Sequence, residues 1–172
     1  MSIRQATIID LDRLVEIDRK AYGEYGENKQ YFIKKFNIFP KGILVVENKE
    51  EITGFIVFEI MGKNAIPADF GDVKLTEPIN GTWMHIIAFT TETNYKDKNS
   101  DSELLLVAEK IAKDSGCTEA YVPLSKNHPF KDNGVFEFWE MYGYERVGEI
   151  KWIPNSDEFV GCYFYKKSLV WR

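Results

Sequence analysis

Few residues in this 172-residue chain combine reactive chemistry with a setting that would focus it. His85 is one of two histidines, and it lies in 82–89, a segment that is otherwise almost entirely apolar. A neutral imidazole there can take a proton from an ammonium group, directly or through a water. The same residue would equally serve as a hydrogen-bonded core histidine, and both roles stay open. Glu92, just beyond that segment, is the second candidate base, with a solvated loop charge as its ordinary role. A third group is Tyr22, Glu24, Tyr25 and Glu27, with Asp69, Phe70 and Asp72 further along. Carboxylates interleaved with aromatic rings suit a cationic amine through ion pairing and cation–π contact. Cys117 and Cys162 are too few for a disulfide scaffold and lack metal-ligand spacing, so no metal site is expected. Cys117 has no histidine near it in sequence and reads as a structural thiol.

These side chains need a scaffold, and the hydrophobic pattern supplies one. Ser2 to Ile8 alternates as a short strand, and Asp10 is placed to cap the helix that follows. Leu11, Leu14, Val15, Ala21 and Tyr22 share a helical stripe that Gly23 and Gly26 interrupt. A second helix is expected over Lys29 to Phe36. Ile43 to Glu47 and Glu51 to Met61 form a hairpin about the polar turn at Asn48 to Glu50. Residues 62–81 read as a long loop, which in a compact domain is usually functional.

The strand Thr82 to Phe89 carries Trp83, His85, Ile87 and Phe89 on one face and Met84, Ile86 and Ala88 on the other. Both faces are mostly apolar, which marks a central strand covered on both sides. Ser100 and Glu103 have capping-box spacing ahead of a helix lined by Leu104, Val107, Ala108 and Ile111, with Gly116 as its stop. A strand at Glu119 to Val122 completes a βαβ unit. A helix from about Gly134 to Tyr142 and strands at Glu145 to Trp152 and Phe159 to Leu169 finish the chain. One mixed sheet with helices on both faces accommodates this order.

The length suits a single domain over residues 1–172, large enough to bury roughly 70% of its unfolded surface. The net charge of −5 and the lack of a basic tract disfavour nucleic acid. No apolar run approaches a membrane span, and the opening residues do not read as a secretory leader, so a cytoplasmic location is expected.

Two segments within this order carry a family resemblance. One is Tyr95-Lys96-Asp97-Lys98-Asn99-Ser100-Asp101-Ser102-Glu103-Leu104-Leu105; the other is Phe138-Trp139-Glu140-Met141-Tyr142-Gly143-Tyr144-Glu145. With the element order, they resemble the GNAT superfamily of acyl-CoA-dependent N-acyltransferases along nearly the whole chain. The first occupies the place of the family's acyl-CoA loop, Gln/Arg-x-x-Gly-x-Gly/Ala. The second is similar to its Phe-Tyr-Glu-x-x-Gly-Phe stretch. The resemblance implies an α/β fold with one mixed, mostly antiparallel sheet of about seven strands, splayed at a central parallel pair.

The implied activity is transfer of an acetyl group from acetyl-CoA to a primary amine of a small molecule or a protein, by direct attack. A catalytically silent GNAT-like domain that binds a ligand or protein partner is the alternative, and edge strands leave a homodimer possible. Cofactor contacts are expected from Ile87, Ala88, Phe89 and Thr90, and from Lys96, Lys98, Asn99, Ser100, Asp101 and Ser102. The acceptor would meet Tyr22, Glu24, Tyr25 and Phe70. His85 or Glu92 would be the base. Trp139 stands where many relatives carry a tyrosine acid, and an indole cannot return a proton, so Tyr142 is the substitute acid, or else a packing residue. Asn99 and Asp101 replace both loop glycines. A carboxylate about 5 Å from a phosphate costs roughly 3 kcal/mol at an effective dielectric near 20, about a hundredfold in affinity.

Overall fold

The structure, a computed structural model, describes residues 1–65, 81–92, 95, 98–152 and 160–170, with 98–100 and 152 described by their backbone alone. Its strands are β1 (Ser2–Gln5), β2 (Ile43–Asn48), β3 (Glu51–Met61), β4 (Trp83–Thr91), β5 (Glu119–Ser125), β6 (Glu145–Trp152) and β7 (Val160–Ser168). They form one sheet in the order β1-β2-β3-β4-β5-β7-β6. The β4–β5 pair is parallel; every other pair is antiparallel. The helices are α1 (Leu11–Tyr22), α2 (Lys29–Ile38), α3 (Lys98–Asp114) and α4 (Val135–Met141).

Alternation along the inner strands sorts the helices onto two faces. Ile43 and Val45 of β2, with Phe55 and Val57 of β3, pack under Leu11, Leu14 and Ile17 of α1 and Phe32 of α2. Their neighbours Leu44, Val46, Ile56, Phe58 and Ile60 meet Leu104, Leu105 and Ala108 of α3 and Phe138 and Trp139 of α4. Each such aliphatic or phenyl side chain contributes roughly 1.5–3 kcal/mol when fully buried.

Strict alternation along β4, expected from its sequence, does not hold. Val57 stands opposite Ala88 and Phe58 opposite Ile86, so Ile87 is the extra residue of a β-bulge. The bulge shifts the phase. Met84, Ile86 and Phe89 share the α3–α4 face, while Ile87 and Ala88 pack toward α1 and α2. Two helix starts also differ from expectation. Asp10 does not cap α1: its carboxylate accepts from the Thr7 amide at 2.7 Å and the Thr7 hydroxyl at 2.8 Å, closing the 3-10 turn Ile8–Asp10. β1 accordingly ends at Gln5 rather than Ile8. α3 begins at Lys98, so Ser100 lies inside the helix and cannot cap it.

Candidate active site

The parallel pairing of β4 with β5 ends early. Trp83, Met84 and His85 pair with Glu119, Ala120 and Tyr121, and no pair follows, although β4 runs on to Thr91 and β5 to Ser125. Beyond that point β4 stays bonded to β3, and β5 to β7. Two strand edges therefore face each other across a gap. A cavity of about 370 Å³ opens there, walled by Ile86 to Phe89 on one side and Val122 to Ser125 on the other.

The α1–α2 side of this cavity is acidic. Asp18 lies on the same buried stripe of α1 as Leu11, Leu14 and Ile17. The helix therefore carries a carboxylate into the interior, 3% exposed. Asp18 Oδ2 accepts from the Glu27 amide at 2.7 Å, and Oδ1 accepts from the Thr90 hydroxyl at 3.3 Å. Burial dominates these bonds and raises its pKa to about 6. The amide bond from Glu27 needs the chain to fold back on α1, and Gly26 permits it: a Cβ there would lie 2.9 Å from the Arg19 Cα. Glu27 is itself 8% exposed, and its Oε2 has no hydrogen-bond partner among the described residues. Burial, reinforced by Asp18 and opposed by Lys35, lifts its pKa to about 7.

The wide end of the gap is aromatic. Tyr22 belongs to α1 yet packs against the core of the opposite face, because the parted strands leave no sheet between them at that level. Its hydroxyl lies 3.3 Å from His128 Nε2, in the loop after β5. His128 Nδ1 accepts from the Phe130 amide at 3.1 Å. Burial lowers the imidazole pKa to about 4, so His128 is neutral at physiological pH. Tyr95 has a left-handed φ of 67°, which costs a bulky residue roughly 1–3 kcal/mol. It is held there by Phe89, Phe130 and Phe138 at 5.3–6.0 Å between ring centroids and by its hydroxyl, which donates to the Phe89 carbonyl at 3.2 Å. Trp139, fully buried, also lines the cavity.

Of the residues singled out by sequence, Tyr22, Tyr25, Ile87, Ala88 and Phe89 line the cavity, and Glu27 joins them. Thr90 is buried behind the wall and reaches it through Asp18. Glu24 is exposed in the 3-10 turn Gly23–Tyr25. His85, Glu92 and Tyr142 are not on the cavity wall. His85 is the last residue of β4 paired with β5; it stands opposite Glu59 of β3 and is buried, and burial lowers its pKa to about 3. Glu92 pairs with Arg13 at 3.0 Å on the protein exterior. Tyr142 ends α4 and packs on Phe138. Lys98, Asn99 and Ser100 form the first turn of α3, Ser102 is half-buried there, and Asp101 is fully enclosed. Lys96, Asp69, Phe70 and Asp72 lie outside the described residues.

Asp18, Tyr31, Tyr95 and His128 were not anticipated. Asp18 had a legible signal, a charge on an apolar helical stripe; the others become neighbours only through the fold.

No family model matches the chain, and no curated protein matches it. Solved structures do. The GphF GNAT-like decarboxylase in complex with isobutyryl-CoA superposes with a TM-score of 0.78 at 15% identity, covering 99% of this chain and 100% of its own. The fold is GNAT-like. Ard1 from Thermoplasma volcanium has a TM-score of 0.74 at 12% identity, with 98% of this chain and 97% of its own covered. YncA, a putative acetyltransferase from Salmonella typhimurium with its cofactor acetyl-CoA, has a TM-score of 0.66 at 13% identity, covering 100% and 95%. In this GNAT-like fold the acidic wall, the bulge and the aromatic end all converge where the parallel pair parts.

Proposed function

We propose that the chain is an N-acyltransferase that moves an acyl group, acetyl in the first instance, from acyl-CoA to a primary amine of a small molecule or a protein. The observation that carries this reading is a buried carboxylate, Glu27, with one oxygen unpartnered among the described residues, on the wall of a cavity between two parted parallel strands. The similar structures with isobutyryl-CoA and acetyl-CoA support it.

The residues present fit an acyl-CoA. Backbone groups on the β5-facing edge of β4 beyond His85 have no strand partner there, and such groups seek hydrogen bonds. An amide-bearing arm can supply them. The first turn of α3, from Lys98, would offer a pyrophosphate the positive end of a 17-residue helix dipole. Asp101, in that same turn, is fully enclosed.

Glu27 takes the proton that the acceptor nitrogen must lose as it attacks the thioester carbonyl. A base with a pKa of about 7 is matched to neutral pH, being partly ionised to accept the proton and weak enough to release it. Asp18 holds the Glu27 backbone in place and keeps that pKa up by its own negative charge. β4 amides at the bulge are the donors available to the carbonyl oxygen as charge develops there. Cys117 and Cys162, whose thiols burial pushes up to about 12 and about 11, are not on the wall. Direct transfer is therefore the chemistry that the wall supports.

The test is calorimetric titration with acetyl-CoA, followed by thiol release with a panel of primary amines. Acetyl-CoA is expected to bind, and amine-dependent thiol release to require Glu27. Absence of acetyl-CoA binding would overturn the reading, as would a fully active Glu27→Gln variant overturn the role of Glu27.

A further inference from the structure

We propose, resting on the acyl-CoA reading above, that the acceptor is a primary amine with an apolar or aromatic body and no carboxylate beside its nitrogen, and that the charge of the cavity wall turns free amino acids away. Charge around the cavity is one-sided. Two carboxylates, Asp18 and Glu27, line it, and no lysine or arginine does among the described residues. Lys35 of α2 is buried and committed, its ammonium donating to Glu59 at 2.6 Å. Lys126, between the wall residues Ser125 and Asn127, pairs with Glu149. His128, also on the wall, is neutral at physiological pH. A ligand carboxylate would therefore meet two like charges there and no cation.

The same wall suits an ammonium group. Asp18 receives an amide and a hydroxyl, neutral donors that leave its negative charge uncompensated. Glu27 keeps one oxygen without a partner among the described residues. Burial holds both carboxylates above their usual range, and a cation beside them reverses that. Tyr22, Tyr25 and Tyr31 line the same cavity. Tyr25 is 70% exposed and Tyr31 half-buried, so both rings keep surface for the body of an acceptor.

An amino acid carries its carboxylate on the carbon that bears the nitrogen. It cannot bring the nitrogen to Glu27 without bringing the second charge as well. At about 5 Å and an effective dielectric near 20, that repulsion is worth roughly a hundredfold in affinity. Partial protonation of Glu27, whose pKa is about 7, brings the expected discrimination to between roughly tenfold and a hundredfold. Tyr22 and Tyr31 also face these carboxylates, but burial pushes their phenols far above neutral pH, and the Lys35–Glu59 pair is matched within itself. Asp18 and Glu27 are thus the groups of this cluster whose charge an incoming amine changes.

The test is calorimetric titration of the full-length protein at about pH 6.5, alone and saturated with CoA, with matched pairs: phenethylamine and phenylalanine, isoamylamine and leucine, tryptamine and tryptophan. At least one amine is expected to bind, roughly tenfold to a hundredfold more tightly than its amino acid. The amide of that amino acid, which keeps the shape and loses the charge, should bind with the amine. Equal affinities within every pair, no binding by any amine, or an amide rejected along with its acid overturns the inference. Amine binding should also release protons to the buffer, as Glu27 becomes ionised beside the cation, and Glu27→Gln should remove most of that release and narrow the ratio within the pair. An undiminished ratio in the folded variant overturns the role of the wall charge; should the variant not fold, the three ligands on the wild type decide. CoA binding without the amine preference overturns this inference alone. The amine preference without CoA binding overturns the acyl-CoA reading and leaves an amine-binding site.

Discussion

Two buried glutamates lie on opposite faces of the same sheet and live in opposite conditions. Glu109 of α3 is 2% exposed. Its carboxylate receives the Tyr144 hydroxyl at 3.0 Å and the Lys167 ammonium at 2.8 Å on each oxygen. Glu27 is 8% exposed, and one of its oxygens receives nothing among the described residues. Burial is thus nearly equal, and satisfaction is not. A buried carboxylate oxygen without a partner costs stability, whereas three hydrogen bonds from two donor groups tie α3 to β7 and to the residue that precedes β6. The contrast shows which buried charge the fold uses for cohesion and which it leaves open to a ligand.

The largest expected effect tests the open one. Glu27→Gln should lower amine-dependent turnover by about 10²–10⁴-fold, the usual worth of a positioned base, with acetyl-CoA affinity nearly unchanged. Glu109→Gln should leave turnover within the range of the wild type; a comparable loss there would dissolve the distinction.

Glu109→Ala tests cohesion. It strands the Tyr144 hydroxyl and the Lys167 ammonium, which is only 20% exposed. The cost should be about 2–3 kcal/mol in denaturant unfolding, scaled down from a fully buried pair. A loss under 1 kcal/mol would show that water replaces the carboxylate.

The pH dependence of stability separates the two glutamates next. Glu27 has a folded pKa of about 7 against an ordinary value of 4.5, so the folded state holds its proton more tightly than the unfolded chain does. Stability is then lost as pH rises from about 4.5 to about 7 and is constant above that. Glu27→Gln removes this loss. The variant should gain on the wild type by roughly 1–2 kcal/mol between pH 4 and pH 8. Parallel curves for the two proteins would mean that Glu27 is more solvated than its surroundings indicate. Smallest of all, Tyr144→Phe removes one neutral donor from Glu109 and should cost about 1 kcal/mol, with the Lys167 bonds intact.

The sheet and helices were largely legible because they depend on near-neighbour periodicity. β3 and β6 occupy the spans that their alternation indicates, and α1 follows its stripe. Errors fell where a long-range contact overrode a local preference. Asp10 has the right type for a cap, but Arg4 and Thr7 take its carboxylate, and the Arg4 hydrogen bond holds its pKa near 2. Ser100 and Glu103 have capping spacing, yet the helix begins two residues earlier. Ile87 has no local mark of a bulge, because a bulge is a mismatch between two strands and belongs to neither alone.

The site was legible as composition and not as geometry. Tyr22, Tyr25 and Glu27 stood out as aromatics beside acids, and all three line the cavity. His85 stood out as a histidine on an apolar strand, and it is enclosed at the point where the strands still pair. The sequence alone determined the element order, the two-faced sheet and the supply of acidic and aromatic side chains, since these follow from residue type and period. Only the tertiary structure decided where β4 and β5 part, that a buried Glu27 oxygen lacks a partner among the described residues, and that residues 22 and 128 share a hydrogen bond. Those are properties of distance and solvent exclusion, and they arise only when segments far apart in the chain are brought together.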